Sequence, residues 1–100
     1  MTIRHIHIFL AVCACGCSAT KAAQQLHLTQ PAVSAAIREL ETHYGVPLFD
    51  RVGRRLVLTQ QGRRFQTYGQ RIAGLFQDLD REEIRRGIHR QRIIINSHGL

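Results

Sequence analysis

The sequence has almost no lysine, few acids and no long apolar run. Lys21 is its single lysine, so thirteen of the fourteen basic side chains are arginine, set against seven Asp and Glu in 100 residues for a net charge of +7. Arginine presents a planar, permanently charged fork that matches phosphate oxygens, so this surplus points to a polyanionic partner. The competing reading is a protein that is merely basic. No stretch approaches the ~20 apolar residues that cross a bilayer, which excludes a membrane-spanning helix. The opening Met1-Thr2-Ile3-Arg4-His5 runs straight into a helix-like segment with no clean apolar core and small-residue cleavage site, so no secretory leader is expected. Cys13, Cys15 and Cys17 are odd in number and crowded into five positions, which is no disulfide framework and fits a reducing compartment. There are no internal repeats and no low-complexity tracts. What is present is 44% apolar residues, enough for one small folded domain and too short a chain for a large two-domain enzyme.

Ile3, Ile6, Phe9, Leu10 and Cys13 share one face of a first helix that Gly16 stops. Thr20 is expected to cap a short second helix, Lys21 to about His27, with Ala23 and Leu26 inward and Ala22-Ala23 allowing a close helix crossing. Thr29 caps a third helix, 30–44, with Pro31 tolerated in its first turn, Val33, Ile37, Leu40 and Tyr44 inward and Gly45 at its end. The three residues between helices two and three mark a helix-turn-helix, spanning about 18–37. Phe49-Asp50-Arg51 and Leu56-Val57-Leu58 around a Gly53 turn predict a two-stranded hairpin, a wing. Thr59 opens a long helix with Phe65, Tyr68, Ile72, Leu75, Phe76 and Leu79 in one apolar stripe, opposite Arg63, Arg71, Arg81 and Arg85. At 1.5 Å per residue it would run about 40 Å, too long for so small a body to cover, so a second copy is the expected partner of the stripe. Folding back on its own domain is the alternative. Ile93-Ile94-Ile95 looks like a buried strand without a mate.

The outward face of the third helix carries Pro31, Ser34, Ala35, Arg38 and Thr42, with Gln30 at its shoulder. Small and hydrogen-bonding side chains there let a helix sink into a major groove. Gln30 suits the N6 and N7 of adenine, Ala35 a thymine methyl, and Arg38 a guanine or a phosphate. Ser34 and Thr29 suit phosphate oxygens, as does the helix N-terminus. The wing adds Arg51, Arg54 and Arg55, continued by Arg63 and Arg64. From Arg51 to Arg71 there are six arginines and no acid, a block that would follow a phosphate backbone or enter a minor groove.

These residues resemble a family. Thr20-Lys21-Ala22-Ala23-Gln24-Gln25-Leu26-His27-Leu28-Thr29-Gln30-Pro31-Ala32-Val33-Ser34 is similar to the helix-turn-helix of LysR-type transcriptional regulators. So are Ile37-Arg38-Glu39-Leu40-Glu41, Gly45, Leu48-Phe49-Asp50-Arg51, Arg54-Arg55 and Leu58-Thr59-Gln60-Gln61-Gly62. The resemblance implies an all-α winged helix-turn-helix in residues 1–58, a linker helix over 59–89 that pairs antiparallel in a homodimer, and in 90–100 the first strand of an effector domain. That effector domain, about 200 residues long and binding a small-molecule inducer, would lie mostly beyond this chain. By match to the family motif, Gln30, Pro31 and Ser34 would approach base edges, Arg38 and Arg51 phosphates, and Arg54 and Arg55 would sit at the wing. The family commonly tetramerises and recognises an interrupted palindrome with T at one end and A at the other, which implies a cytoplasmic, nucleoid-associated bacterial regulator of double-stranded DNA. Ala35-Ala36 depart from the polar or basic residue frequent after Ser34, which puts more weight on Gln30 and on DNA shape.

The alternative from another class is a metal- or thiol-responsive winged-helix repressor using Cys13, Cys15 and Cys17, whose short spacing could chelate a soft metal. Cys13, however, lies on the first helix's apolar stripe and no nearby His completes a four-ligand set. No metal and no cofactor is therefore expected. A third alternative is a protein-interaction module with an acidic partner. No acid or base stands near a nucleophile at a recognisable spacing, so no enzyme is expected.

Overall fold

The computed structural model describes the backbone of residues 1–83 and the side chains of residues 1–81. Its elements are four helices, α1 (Ile3–Ala14), α2 (Ala19–Leu26), α3 (Gln30–Tyr44) and α4 (Gln60–Asp78), and two strands, β1 (Phe49–Val52) and β2 (Arg55–Leu58). A π-helical segment, Leu79–Glu83, follows α4. The chain divides into one compact unit, Met1–Gln70, and a second beginning at Arg71. The expected continuation of the long helix over 84–89 and the strand at Ile93-Ile94-Ile95 lie outside the described residues.

The first unit is built around α1. A single apolar stripe was the expectation, but Ile6, Ile8, Phe9 and Val12 are all buried while Ile3, Leu10 and Cys13 are half-buried. The physical reason is that α1 is covered from several sides. It packs on α2 and α3, and Phe9 also meets the ring of Phe49 at 5.3 Å and that of Phe65 edge-on at 4.9 Å. Burying large apolar side chains of this kind stabilises by about 1.5–3 kcal/mol each, so this helix dominates the core. Ala22 and Ala23 are buried beside it, small enough for α2 to lie close.

The start of α2 corrects the expected boundary. Ser18, not Thr20, is the cap: its backbone is extended and its Oγ accepts from the Lys21 N–H at 3.1 Å. Ala19 is a strong helix former and carries the helix back past Thr20. At the other end His27 adopts left-handed φ +57° and Leu28 N donates to Ala23 O, a Schellman-type stop that leaves only His27-Leu28-Thr29 between α2 and α3. Thr29 caps α3 as its sequence suggests, accepting from Ala32 N at 3.2 Å, and Gly45 ends it at φ +68°. The buried edge of α3 is Val33, Ala36 and Leu40, with Ile37 half-buried. Tyr44, expected inward, is 45% exposed, its ring edge-on to His43 and to Phe65. Leu48, 1% exposed, is buried just beyond the end of α3.

The hairpin pairs Phe49 with Leu58 and Val52 with Arg55, leaving Gly53-Arg54 as a two-residue turn. Gly53 alone takes positive φ there, the pattern of a type II′ turn, which matches the twist of the strands. Two strands are marginal by themselves, so what pins them matters. Phe49 is the anchor in the core, and Glu41 of α3 supplies a second: its Oε2 accepts from Leu48 N at 2.8 Å and Phe49 N at 3.2 Å. Thr59 fastens the exit, with its N–H on Leu48 O at 3.0 Å and its hydroxyl donating to Pro47 O at 2.7 Å while accepting from Gly62 N.

Candidate nucleic-acid interface

The outward face of α3 and the wing come together. Gln30, Pro31, Ala35 and Arg38 are exposed and Ser34 is half-buried; Arg51, Arg54 and Arg55 are all exposed. A cleft of about 250 Å³ is lined by Ser34 and Arg38 of α3 and by Arg51 and Leu56 of the wing, over a floor that includes Ile37 and Phe49. A neighbouring cleft of about 310 Å³ joins Gln30 to Arg51, Arg54 and Arg55 and to Ser18 and Thr20 at the start of α2. Neither Gln30 nor Arg38 lies under other side chains of the described residues, and both line clefts shared with the hairpin. The arrangement gives a convex helix with hydrogen-bonding groups toward its N-terminus, flanked by three arginines that no acid of the described chain neutralises through a salt bridge.

Within the face, Gln30 Nε2 donates to Ser34 Oγ at 2.6 Å, one turn further along the same side of α3. Thr29 is occupied as the helix cap, so its hydroxyl oxygen already serves Ala32 N. Glu39 lies near this face and is engaged by His5 Nε2 from α1. Its carboxylate therefore has a hydrogen-bond partner on its own domain.

Two positioning residues escape a reading of the sequence. Glu41, one residue past the buried Leu40, ties the end of α3 to the start of β1, and no local pattern distinguishes it from a solvated helical acid. Gly62 lies where a Cβ would meet Leu48 O at 2.1 Å, so the first turn of α4 is pressed against the residue that leads into β1. The Thr59-x-x-Gly62 spacing was the available signal for that close approach.

The apolar stripe on α4 divides. Phe65 is half-buried and spent within the domain, its ring against Phe9 and Tyr44, so it stands apart from the exposed members. Tyr68, Ile72, Leu75 and Phe76 of α4 and Leu79 at the start of the π-helical segment are each between 44% and 68% exposed, an unusual amount of open apolar surface.

The cysteines do not assemble a site. Among the described residues no group of three His, Cys, Asp or Glu side chains could hold a metal ion, and the metal-responsive alternative finds no support. Burial pushes the Cys13 thiol up to about 12, with the nearby Cys17 adding to the effect, so it stays protonated and unreactive. Cys15 donates its S–H to Gln25 Oε1 at 2.9 Å. Among the described residues no helix is long and apolar enough to cross a membrane.

A short helix, a three-residue turn, a second helix with an open polar face and an arginine-bearing hairpin define a winged helix-turn-helix, a class of fold built to present one helix to a groove. The chain belongs to the LysR family of bacterial regulatory helix-turn-helix proteins, whose family model matches residues 3–63. This is a family of transcriptional regulators, not of enzymes. The RuBisCO operon transcriptional regulator of Allochromatium vinosum is 39% identical over 80 residues, covering 80% of this chain and 26% of that protein. Two solved structures share the fold over most of their length. The BenM_DBD/catB site 1 DNA complex is 31% identical with a TM-score of 0.80, covering 87% of this chain and 97% of that one. The CbnR_DBD-DNA complex is 32% identical with a TM-score of 0.75, covering 85% and 98%. The chain spans about a quarter of the length of most of the curated relatives it matches.

Proposed function

We propose that this chain is a sequence-specific double-stranded DNA-binding module of a bacterial transcription regulator. The observation that carries the reading is the shared cleft lined by Gln30 of α3 and by Arg51, Arg54 and Arg55 of the wing, on a face where no described residue covers Gln30 or Arg38. In this reading α3 enters the major groove N-terminus first. Gln30, Pro31, Ser34 and Ala35 meet base edges, Arg38 and Arg51 reach phosphates, Thr29 holds the helix N-terminus toward an anion, and Arg54 and Arg55 follow the backbone or the minor groove. The similar structures described as DNA complexes support it, as does the net charge of +7.

The reading extends to assembly. The winged domain is residues 1–58, the linker helix 59–89, and 90–100 opens an effector domain through which a small-molecule inducer would act in the longer protein. The exposed Tyr68, Ile72, Leu75, Phe76 and Leu79 pair with a second copy, and two such dimers associate as a tetramer. A regulator of this kind works in the cytoplasm on the nucleoid.

Titrating labelled duplex across a salt series tests the DNA reading. The log of the association constant falls against log salt by about 0.9 per neutralised phosphate. Gln30→Ala lowers affinity for a selected operator by ~1–3 kcal/mol and leaves random duplex nearly untouched, whereas Arg54→Ala weakens both about equally. A salt-independent association would remove the backbone role of the wing, and a loss confined to the operator in Arg54→Ala would overturn its assignment to phosphate.

A further inference from the structure

Arg38 is exposed on α3 with an acid in each of the clefts beside it. Glu41 shares the cleft toward the wing, and Glu39 shares a second cleft of about 570 Å³ that Met1, Ala35, Thr42 and His43 also line. A carboxylate beside the guanidinium would offset the charge that a phosphate needs. Among the described residues, however, no acid forms a salt bridge with Arg38. Each of the two is held by other donors. Glu41 Oε2 takes the N–H groups of Leu48 and Phe49, and Glu39 Oε2 takes His5 Nε2 from α1. The direction of the His5 bond is fixed at both edges of the ring. An ionised carboxylate only accepts, so Nε2–H is the donor. At the other edge Nδ1 accepts the Thr2 N–H at 3.2 Å and lies 3.0 Å from the Thr2 hydroxyl, which leaves the ring proton on Nε2. That second contact is part of the capping box that starts α1, so the ring is tied to backbone. The side chain of His5 is 20% exposed and that of Glu39 is 65% exposed. The holder is the more enclosed of the two, and the acid is open enough to swing away once released.

We propose, resting on the reading of Arg38 as a phosphate contact, that His5 is a positioning residue for DNA binding: it holds the Glu39 carboxylate toward α1 and so keeps the cleft beside Arg38 open to a phosphate. Neighbours in a helix do not face each other directly, but the side chains between Arg38 and Glu39 on this surface are the small Ala35 and Thr42. A released Glu39 therefore swings over them into the cleft, where its charge offsets Arg38 and repels the incoming phosphate. Pairings and repulsions at an exposed site are modest, so the expected penalty is about three- to fivefold in affinity. It falls alike on operator and random duplex, because a phosphate contact carries no base sequence.

The test titrates a selected operator and random duplex at low salt with the wild type, His5→Ala, Glu39→Gln, the double variant and Arg38→Ala, at a temperature where thermal melts show every variant folded. His5→Phe, which keeps the bulk of the ring and removes both nitrogens, repeats the measurement with the packing kept. His5→Ala and His5→Phe lose about three- to fivefold on both duplexes. Glu39→Gln alone changes affinity by less than about 1.5-fold, since the held carboxylate already lies aside, yet it restores wild-type affinity in the His5→Ala background. The melt separates this from a structural role: His5→Ala lowers Tm through the lost cap of α1, and Glu39→Gln does not bring that back. An affinity loss that Glu39→Gln leaves in place overturns the proposal, because His5 would then act through the fold or touch DNA itself. Unchanged affinity in both His5 variants overturns it as well. Arg38→Ala keeps the parent reading apart: if it binds like the wild type, the phosphate role of Arg38 is refuted and the proposal with it, whereas a weakened Arg38→Ala beside unaffected His5 variants overturns the proposal alone.

Discussion

Replacing Gly62 by alanine probes the joint between the wing and α4. A Cβ at this position would lie 2.1 Å from Leu48 O, 2.9 Å from Leu58 Cδ2 and 3.1 Å from the Leu48 carbonyl carbon. An ordinary carbon–oxygen contact is about 3.3 Å or more, so the backbone of Leu48 must retreat by about 1.2 Å. That carbonyl accepts the Thr59 N–H, and the neighbouring Pro47 carbonyl accepts the Thr59 hydroxyl, so the retreat strains the bonds that hold the end of β2 to the start of β1. Overpacking of this kind costs about 1–3 kcal/mol and a weakened hydrogen bond about 1 kcal/mol more. The gain in helix propensity from Gly to Ala offsets about 1 kcal/mol. The net loss is about 2 kcal/mol, which in a domain of this size lowers Tm by about 8–16 °C. Gly74→Ala on the same helix is the control, because a Cβ there meets none of the described residues within 4 Å, and it leaves stability unchanged or raises it by up to about 1 kcal/mol. Thermal melts followed by circular dichroism at equal protein concentration decide the matter. A Gly62→Ala melt within 2 °C (about a quarter of the smallest expected shift) of wild type would refute the claim that the joint is rigid.

Glu41→Ala leaves the Leu48 and Phe49 N–H groups without their acceptor and costs about 2–4 kcal/mol in denaturant unfolding, whereas Glu41→Gln keeps an amide oxygen there and loses less than half as much; equal losses would show that the two bonds are not what the side chain contributes. The Cys13 thiol is neutral when protonated and its value is raised from 9.0 to about 12 in the fold, so its contribution to stability is complete below pH 9 and declines as pH rises from about 9 to 12. Cys13→Ala removes that part of the decline in a stability–pH series, and an unchanged profile would contradict the assignment. Phe76→Asp converts a dimer to a monomer in sedimentation velocity, and a dimer that persists counts against the exposed face of α4 as the interface.

Much of the architecture is readable from residue types. The caps and stops of α3 follow from Thr29, Pro31 and Gly45, because each performs a backbone task that few other residues perform. The turn of the wing follows likewise from Gly53. Where two residues suit the same task, pattern alone does not choose: Ser18 and Thr20 are both good caps, and the helix-forming Ala19 between them settles it in favour of Ser18. The buried face of α1 was under-read since periodicity describes one stripe, and a helix enclosed by α2, α3, Phe49 and Phe65 buries more than one. Phe65 belongs by spacing with Tyr68 and Ile72, yet its ring completes the aromatic cluster of Phe9 and Tyr44; only three-dimensional packing separates it from its neighbours on the stripe. In the candidate interface the identities of Gln30, Arg38, Arg51, Arg54 and Arg55 were legible. The Gln30–Ser34 bond and the hold of Glu41 on β1 were not, because both depend on side-chain direction rather than on sequence spacing.

The most direct measurement is a competition at physiological salt between a duplex recovered by selection with this chain and the same duplex with its base order scrambled. A helix that reads base edges while arginines hold the backbone predicts a preference of about a thousandfold or more for the selected sequence. Equal affinity for the two duplexes would contradict the account at its centre, leaving a basic surface that holds DNA without reading it.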